Sequence, residues 1–92
     1  MEETLELENI SLMAQVYGWI PIPNTAMLAS FRRKRARINI WRDKFGTLTV
    51  GTALVHPRQG KTQLFRRRVN GKLLESIFEN PRVHTGVGYK RV

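Results

Sequence analysis

The chain has 92 residues, of which 41% are hydrophobic, and it contains no cysteine. This length suits one small domain, and the absence of thiols excludes disulfide bonds, cysteine nucleophiles and cysteine-ligated zinc. The formal net charge is +9 at pH 7, and no apolar run approaches the roughly 20 residues that cross a bilayer. We therefore expect a basic, cytoplasmic protein without a membrane partner.

The N-terminal third predicts one helix and a connector. Apolar residues follow helical spacing until Gly18, a natural helix stop, which predicts a helix over residues 9–17. Pro21 and Pro23 withhold two backbone donors, so residues 19–24 are expected to form an extended hydrophobic connector. A short helical turn is predicted over residues 26–29.

The middle of the chain predicts three strands. Residues 35–41 alternate between small or apolar and polar side chains, which predicts a half-buried strand. A hairpin loop over residues 42–46 leads into a second strand over residues 47–55, and residues 61–69 are expected to return as a third strand whose facing stays open. On the first strand Ala36, Ile38 and Ile40 should face the core, and Arg35, Arg37, Asn39 and Trp41 should share the opposite face.

The C-terminal part predicts a second helix. Asn70 is a good N-cap for an amphipathic helix over residues 71–79, and Pro81 follows its end. The whole order predicts an α+β fold in which a three-stranded antiparallel meander is covered by helices on one face (α-β-β-β-α). We expect one domain over residues 1–92, made of an acidic and apolar segment (1–31), a basic sheet with a helix (32–80) and a basic flexible tail (81–92). The aromatic residues, Phe45 among them, are expected to nucleate its core.

The charge is distributed unevenly along this order. Residues 1–31 carry four glutamates and no Lys or Arg, whereas residues 32–92 carry all sixteen cations against three carboxylates, a net charge of +13. Such a density repels itself unless it meets counter-charge. When a basic surface binds a chain of phosphates, it releases the counterions condensed on them, and this release favours binding. We therefore expect an anionic polymer as the partner.

Two arginine clusters indicate where that partner would bind. Residues 32–37 hold five cations in six positions and are followed by Trp41, and residues 66–68 form a second cluster. Arginine pairs with phosphate and stacks on bases, and tryptophan offers a stacking surface, so we expect the partner to be nucleic acid, DNA or RNA. Whether the two clusters share one face stays open. The predicted contact residues are Arg32, Arg33, Arg35, Arg37, Trp41, Lys44, Arg58, Lys61, Arg66, Arg67 and Arg68.

Other interpretations of these cations stay open as well. The first cluster could be a solvated basic edge that prevents sheet-to-sheet aggregation, or a localisation-type signal. One arginine of residues 66–68 could pair with Glu75 or Glu79. A metal-independent ribonuclease with His56 or His84 as general base is the alternative function, and an adaptor that docks on an acidic protein is another. We favour a protein that is not an enzyme, expect no metal and no cofactor, and leave a homodimer open.

The α-β-β-β-α order and residues 56–78 resemble two known groups, the double-stranded RNA-binding domain and the HicA-type toxin ribonuclease. His56-Pro57 before a turn, a third strand and then residues 73–77 are similar to the closing strand and helix of the toxin. The chain lacks the toxin's Gly-Ser-His-His signature and the Lys-rich helix start of the RNA-binding domain. No residue role is therefore carried over from either group.

Overall fold

The computed structural model describes residues 6–23 and 26–81, with residues 63–65 described by their backbone alone. Over these residues the chain has an α+β fold with two helices and a five-stranded antiparallel sheet. The predicted tail beyond Pro81 lies outside the described residues. In chain order the elements are α1 (Leu7–Val16), β1 (Ile20–Pro21), β2 (Ala29–Arg33), β3 (Ala36–Arg42), β4 (Leu48–His56), β5 (Gly60–Arg68) and α2 (Gly71–Glu79).

The sheet is a meander in which each strand pairs with the next, in the order β1-β2-β3-β4-β5. The three predicted strands correspond to β3, β4 and β5 within one residue at each end. The prediction of only three strands is wrong, because the sheet also contains β1 and β2. The predicted helical turn over residues 26–29 is wrong too, since residues 26–28 are bends and Ala29 begins β2 opposite Ile40.

Strand β2 was missed because the first arginine cluster is itself a hairpin. Arg32 pairs with Arg37 and Arg33 pairs with Ala36, which leaves Lys34 and Arg35 as a two-residue turn. Lys34 adopts a left-handed backbone conformation, with φ of 55°. In two-residue hairpin turns this conformation is usually adopted by glycine or asparagine. A lysine at this position therefore gives no indication of a turn in the sequence.

Strand β1 lies at the edge of the sheet, where a proline can be accommodated. Pro21 pairs with Phe31, and the backbone amide of Ile22 donates to the carbonyl of Ser30 at 2.8 Å. An edge strand has one side free of ladder hydrogen bonds, so the missing amide of Pro21 need not leave a carbonyl unpaired. The predicted connector therefore includes a short strand.

Both helices pack on the same face of the sheet. Ile10 of α1 and Phe78 of α2 are fully buried against a core that includes Phe31, Ile38 and Ile40. The predicted facing of Ile38 and Ile40 is confirmed. No helix in the described part of the chain is long and apolar enough to cross a membrane.

The two helix ends that sequence signals predicted are present. The side-chain oxygen of Asn70 accepts a hydrogen bond from the amide of Leu73 at 2.9 Å, so Asn70 caps α2 as predicted. After α1, the amides of Gly18 and Trp19 donate to the carbonyls of Gln15 and Ala14, and Gly18 has φ of 82°. This is the pattern by which a glycine in the left-handed conformation ends a helix.

Candidate nucleic-acid interface

The sheet face opposite the helices carries some arginines of each cluster. Strand pairing aligns Asn39 with Gly51 and Gly51 with Arg66. Two residues along β3, Trp41 aligns with Thr49, and Thr49 aligns with Arg68. Paired residues point to the same side of a sheet and alternate residues point to opposite sides. Arg37 and Trp41 on β3 therefore share this face with Arg66 and Arg68 on β5, and we call it the uncovered face.

A groove runs along the uncovered face because the strand at its middle carries small side chains. Strand β4 presents Thr49, Gly51 and Ala53 there, and all three are buried beneath their neighbours. Ala53 is buried without belonging to the core cluster, as expected on the opposite side of the sheet. Neighbouring strands lie about 4.8 Å apart, so the backbones of β3 and β5 are about 10 Å apart across this groove.

Trp41 is half-buried and lies between two depressions on this face. One depression has a volume of about 460 Å³ and is lined by Asn39, Trp41, Lys61 and Arg66 among others. The other has a volume of about 420 Å³ and also includes Trp41 and Arg66, together with residues of the second cluster. Both depressions beside the indole ring of Trp41 are therefore also bordered by the guanidinium of Arg66.

The side-chain amide of Asn39 can donate hydrogen bonds to a ligand in the larger depression. Its side-chain Oδ1 accepts a hydrogen bond from the hydroxyl of Ser30 at 2.8 Å. Its amide nitrogen makes no hydrogen bond with another residue of the described part, and Asn39 lines the larger depression. This amide group is able to donate to a phosphate oxygen or a base edge.

Asp43 is the carboxylate that reaches the smaller depression. Its side chain accepts hydrogen bonds from the amides of Phe45 and Thr47, both at 2.9 Å, and from Arg68 Nε at 2.8 Å. Burial raises the pKa of Asp43, but these hydrogen bonds and the positive charge of Arg68 outweigh burial, so its pKa lies below the usual value. Arg68 of the second cluster thus pairs with Asp43, whereas an arginine paired with Glu75 or Glu79 was the expected alternative.

Arg33 was predicted as a contact residue, and the structure places it on the helix side of the sheet. Its guanidinium donates to the carbonyls of Tyr17 at 2.9 Å and Phe78 at 3.0 Å, and lies 4.7 Å from the centroid of the Trp19 ring. It also donates to the carbonyl of Glu79 at 3.3 Å. These contacts join the C-terminal ends of both helices to β2.

The other predicted residues of the first cluster divide between the face and the turn. Arg32 pairs with Arg37, so both belong to the uncovered face, and Arg37 donates to the carbonyls of Lys34 and Ala36 at 3.0 and 2.9 Å. Arg35 was expected on the strand face, but it lies in the β2–β3 turn because β3 begins one residue later.

The remaining predicted residues lie around the ends of the strands. Arg67 pairs with the buried Val50, which assigns it to the helix side. Arg35, His56 and Arg58 line a depression of about 310 Å³ at one end of the sheet. Lys44 lies in the β3–β4 hairpin at the other end. His84 lies outside the described residues.

Phe45 is a residue at this site that the sequence assigned to the core. It is 71% exposed in the β3–β4 hairpin. Lys44 Nζ lies 5.1 Å from the centroid of its ring, and the guanidinium carbon of Arg68 lies 5.6 Å from it. Its position next to Gly46 in a hairpin loop was the available signal for exposure.

Comparison of this chain with protein-family models, with curated proteins and with solved structures found no match.

Proposed function

We propose that this protein binds nucleic acid, DNA or RNA, on the uncovered face of its sheet. The observation that carries the proposal is the position of Trp41 between two depressions that both include Arg66. A stacking ring beside guanidinium groups is the combination with which sheet surfaces hold nucleic acid, because the ring contacts a base while the cations contact phosphates.

The charges on this face support the same proposal. Arg32, Lys61 and Arg66 form no ion pair and no side-chain hydrogen bond within the described part of the chain. Asp43, the carboxylate that reaches the smaller depression, is paired with Arg68. An anionic ligand would therefore find cations whose charge is not already compensated, and phosphates supply the matching charge.

The alternative of an aggregation-blocking basic edge fits the first cluster poorly. Charged side chains protect a sheet when they lie on a strand whose backbone is unpaired. Arg37 lies on β3 and pairs with Arg32 of β2 on one side and with Ala53 of β4 on the other. Its strand has a paired neighbour on both sides at this position, so edge protection does not explain it.

Binding can be tested with single-stranded and double-stranded forms of DNA and RNA at two salt concentrations. Lys61→Gln removes a cation that borders the larger depression, and Lys72→Gln removes an exposed lysine of α2 on the other side of the sheet. We expect Lys61→Gln to weaken binding and to flatten the salt dependence by about 0.7 to 0.9 units if it loses one phosphate contact. Lys72→Gln is the matched control and should change little. Equal effects of the two variants would indicate only general charge attraction.

A ribonuclease is the second candidate function. The observation that favours it is the depression shared by Arg35, His56 and Arg58, since a histidine beside two guanidinium groups could deprotonate a ribose hydroxyl near a phosphate. Incubation with RNA in excess chelator tests this candidate. Cleavage that His56→Ala abolishes would support it, and intact RNA would reject it. Competition by DNA or RNA of varied sequence separates nucleic-acid binding from the adaptor hypothesis, in which an acidic protein docks on the same surface.

A further inference from the structure

The β3–β4 hairpin presents an aromatic ring to solvent. Phe45 is 71% exposed, yet cations lie near its ring on β5 and in the hairpin itself. Cations near an aromatic face are attracted to it. Phe45, Lys44 and Arg68 therefore form another cluster of an aromatic ring and cations, in addition to the one at Trp41.

The hairpin that holds Phe45 is well ordered by hydrogen bonds. The backbone amide and carbonyl of Asp43 bond to Thr47 and Gly46 at 3.0 and 2.9 Å, and its carboxylate accepts from the amide of Phe45. Arg42 donates to the carbonyl of Gly46 at 3.0 Å, and Gly46 takes φ of 79°, which a glycine adopts without strain. Because the backbone that carries the ring is already ordered, a ligand that stacks on the ring does not have to order this loop.

Arg68 connects this ring with the groove. Its Nε pairs with Asp43 at 2.8 Å, and its guanidinium carbon lies 5.6 Å from the centroid of Phe45. The same residue lines the smaller depression together with Trp41. One arginine thus lies between two aromatic side chains, Trp41 on the sheet and Phe45 at the end of the hairpin.

We infer that the ligand of the uncovered face is a single-stranded nucleic acid, with one unpaired base stacked on Phe45 and another on Trp41. This inference rests on the proposed function. In a duplex the faces of the bases are stacked on each other, so exposed rings have nothing to contact, whereas every unpaired base offers a free face. Arg68 pairs with Asp43 through Nε, and its terminal Nη groups are suited to a backbone phosphate of the strand between the two stacked bases.

The test compares affinities for a single strand and for the duplex of the same sequence and length, using the full chain. Phe45→Leu keeps an apolar side chain and removes the ring, and Phe45→Trp keeps a ring. The parent protein should bind the single strand more tightly than the duplex. Phe45→Leu should lower single-strand affinity about 5- to 150-fold, the range for one stacked base, and should leave duplex affinity unchanged, while Phe45→Trp retains tight binding.

Three results would overturn the inference in distinguishable ways. Unchanged single-strand affinity of Phe45→Leu would show that the ring does not stack. A loss confined to the duplex would show instead that Phe45 inserts as a wedge between base pairs. A parent protein that binds neither form would overturn the proposed function as well. Because Phe45 is largely exposed, Phe45→Leu should retain the near-ultraviolet circular dichroism and the unfolding midpoint of the parent.

Discussion

Arg33 and Trp19 share one hydrogen-bond acceptor, the carbonyl oxygen of Phe78. Trp19 Nε1 donates to it at 2.7 Å and Arg33 Nη1 at 3.0 Å, while the guanidinium stacks over the indole ring at 4.7 Å. The last carbonyls of a helix have no partner within the helix, and a cation is favourable beside them. Arg33 therefore belongs to the packing of the helices on the sheet.

This arrangement predicts opposite behaviour for two adjacent arginines. Arg33→Gln should lower the free energy of unfolding by about 2 kcal/mol, since it removes part-buried hydrogen bonds from a charged donor to the carbonyls of Tyr17 and Phe78. Arg32→Gln, on the uncovered face, should change it by less than about 0.5 kcal/mol. Urea unfolding measures both values. Equal destabilisation by the two variants would contradict the assignment of Arg33 to the helix ends.

Thr52 predicts a stabilising substitution. Its side chain is 1% exposed, and its hydroxyl has no hydrogen-bond partner among the residues that the structure describes. Burying an unpaired hydroxyl costs about 1 to 3 kcal/mol, so Thr52→Val should raise the free energy of unfolding by about 1 kcal/mol. Thr49→Val is the control, because the Thr49 hydroxyl donates to the carbonyl of Thr47 at 3.2 Å, and it should bring no gain. A Thr52→Val variant less stable than the parent would show that the hydroxyl is satisfied in solution.

The depressed pKa of Asp43 predicts a pH dependence with a definite sign. Burial alone would raise this pKa, but hydrogen bonds from Thr47, Phe45 and Arg68 lower it overall. A carboxylate whose pKa is lower in the folded state contributes stability above its unfolded value of about 3.9, and this contribution is lost as the pH falls through the folded value. A carboxyl titration followed by NMR should therefore give Asp43 a pKa below that of an ordinary aspartate.

Arg68→Gln should raise the pKa of Asp43 toward the ordinary value, because it removes one donor and a positive charge. The amides of Phe45 and Thr47 remain in this variant, so part of the depression should persist. A titration that is the same in parent and variant would contradict the ion pair between Asp43 and Arg68.

The sequence alone predicted those elements that have a regular alternation of apolar and polar residues or a clear helix-capping residue. The alternation along β3 predicted that Ile38 and Ile40 are buried, and Asn70 predicted the start of α2. Strand β2 gave no such signal, because Arg32 and Arg33 follow each other and one of them faces the helices. The guanidinium of Arg33 donates a hydrogen bond to the carbonyl of Phe78, 45 positions away. No local sequence pattern can reveal such a contact.

The candidate site was predictable in composition and only partly in geometry. The clusters and Trp41 are visible in the sequence, but which arginines share a face depends on the pairing of β4 with β5, where the register shifts between Thr52 and Ala53. The alternation of residues along β5 therefore could not show on which side of the sheet Arg66 and Arg68 lie. Phe45 was assigned to the core from its aromatic side chain alone, although its place beside Gly46 in a hairpin loop was a local signal that it is exposed.

Ligand contact on the uncovered face is measured most directly with the two indole N–H signals of an isotope-labelled sample during titration with oligonucleotide. Trp41 lines both depressions, whereas Trp19 is 2% exposed and its N–H is bonded to Phe78. Binding on the uncovered face predicts that the Trp41 signal shifts with saturation while the Trp19 signal stays in place. A Trp41 signal that does not move at saturating oligonucleotide would contradict it.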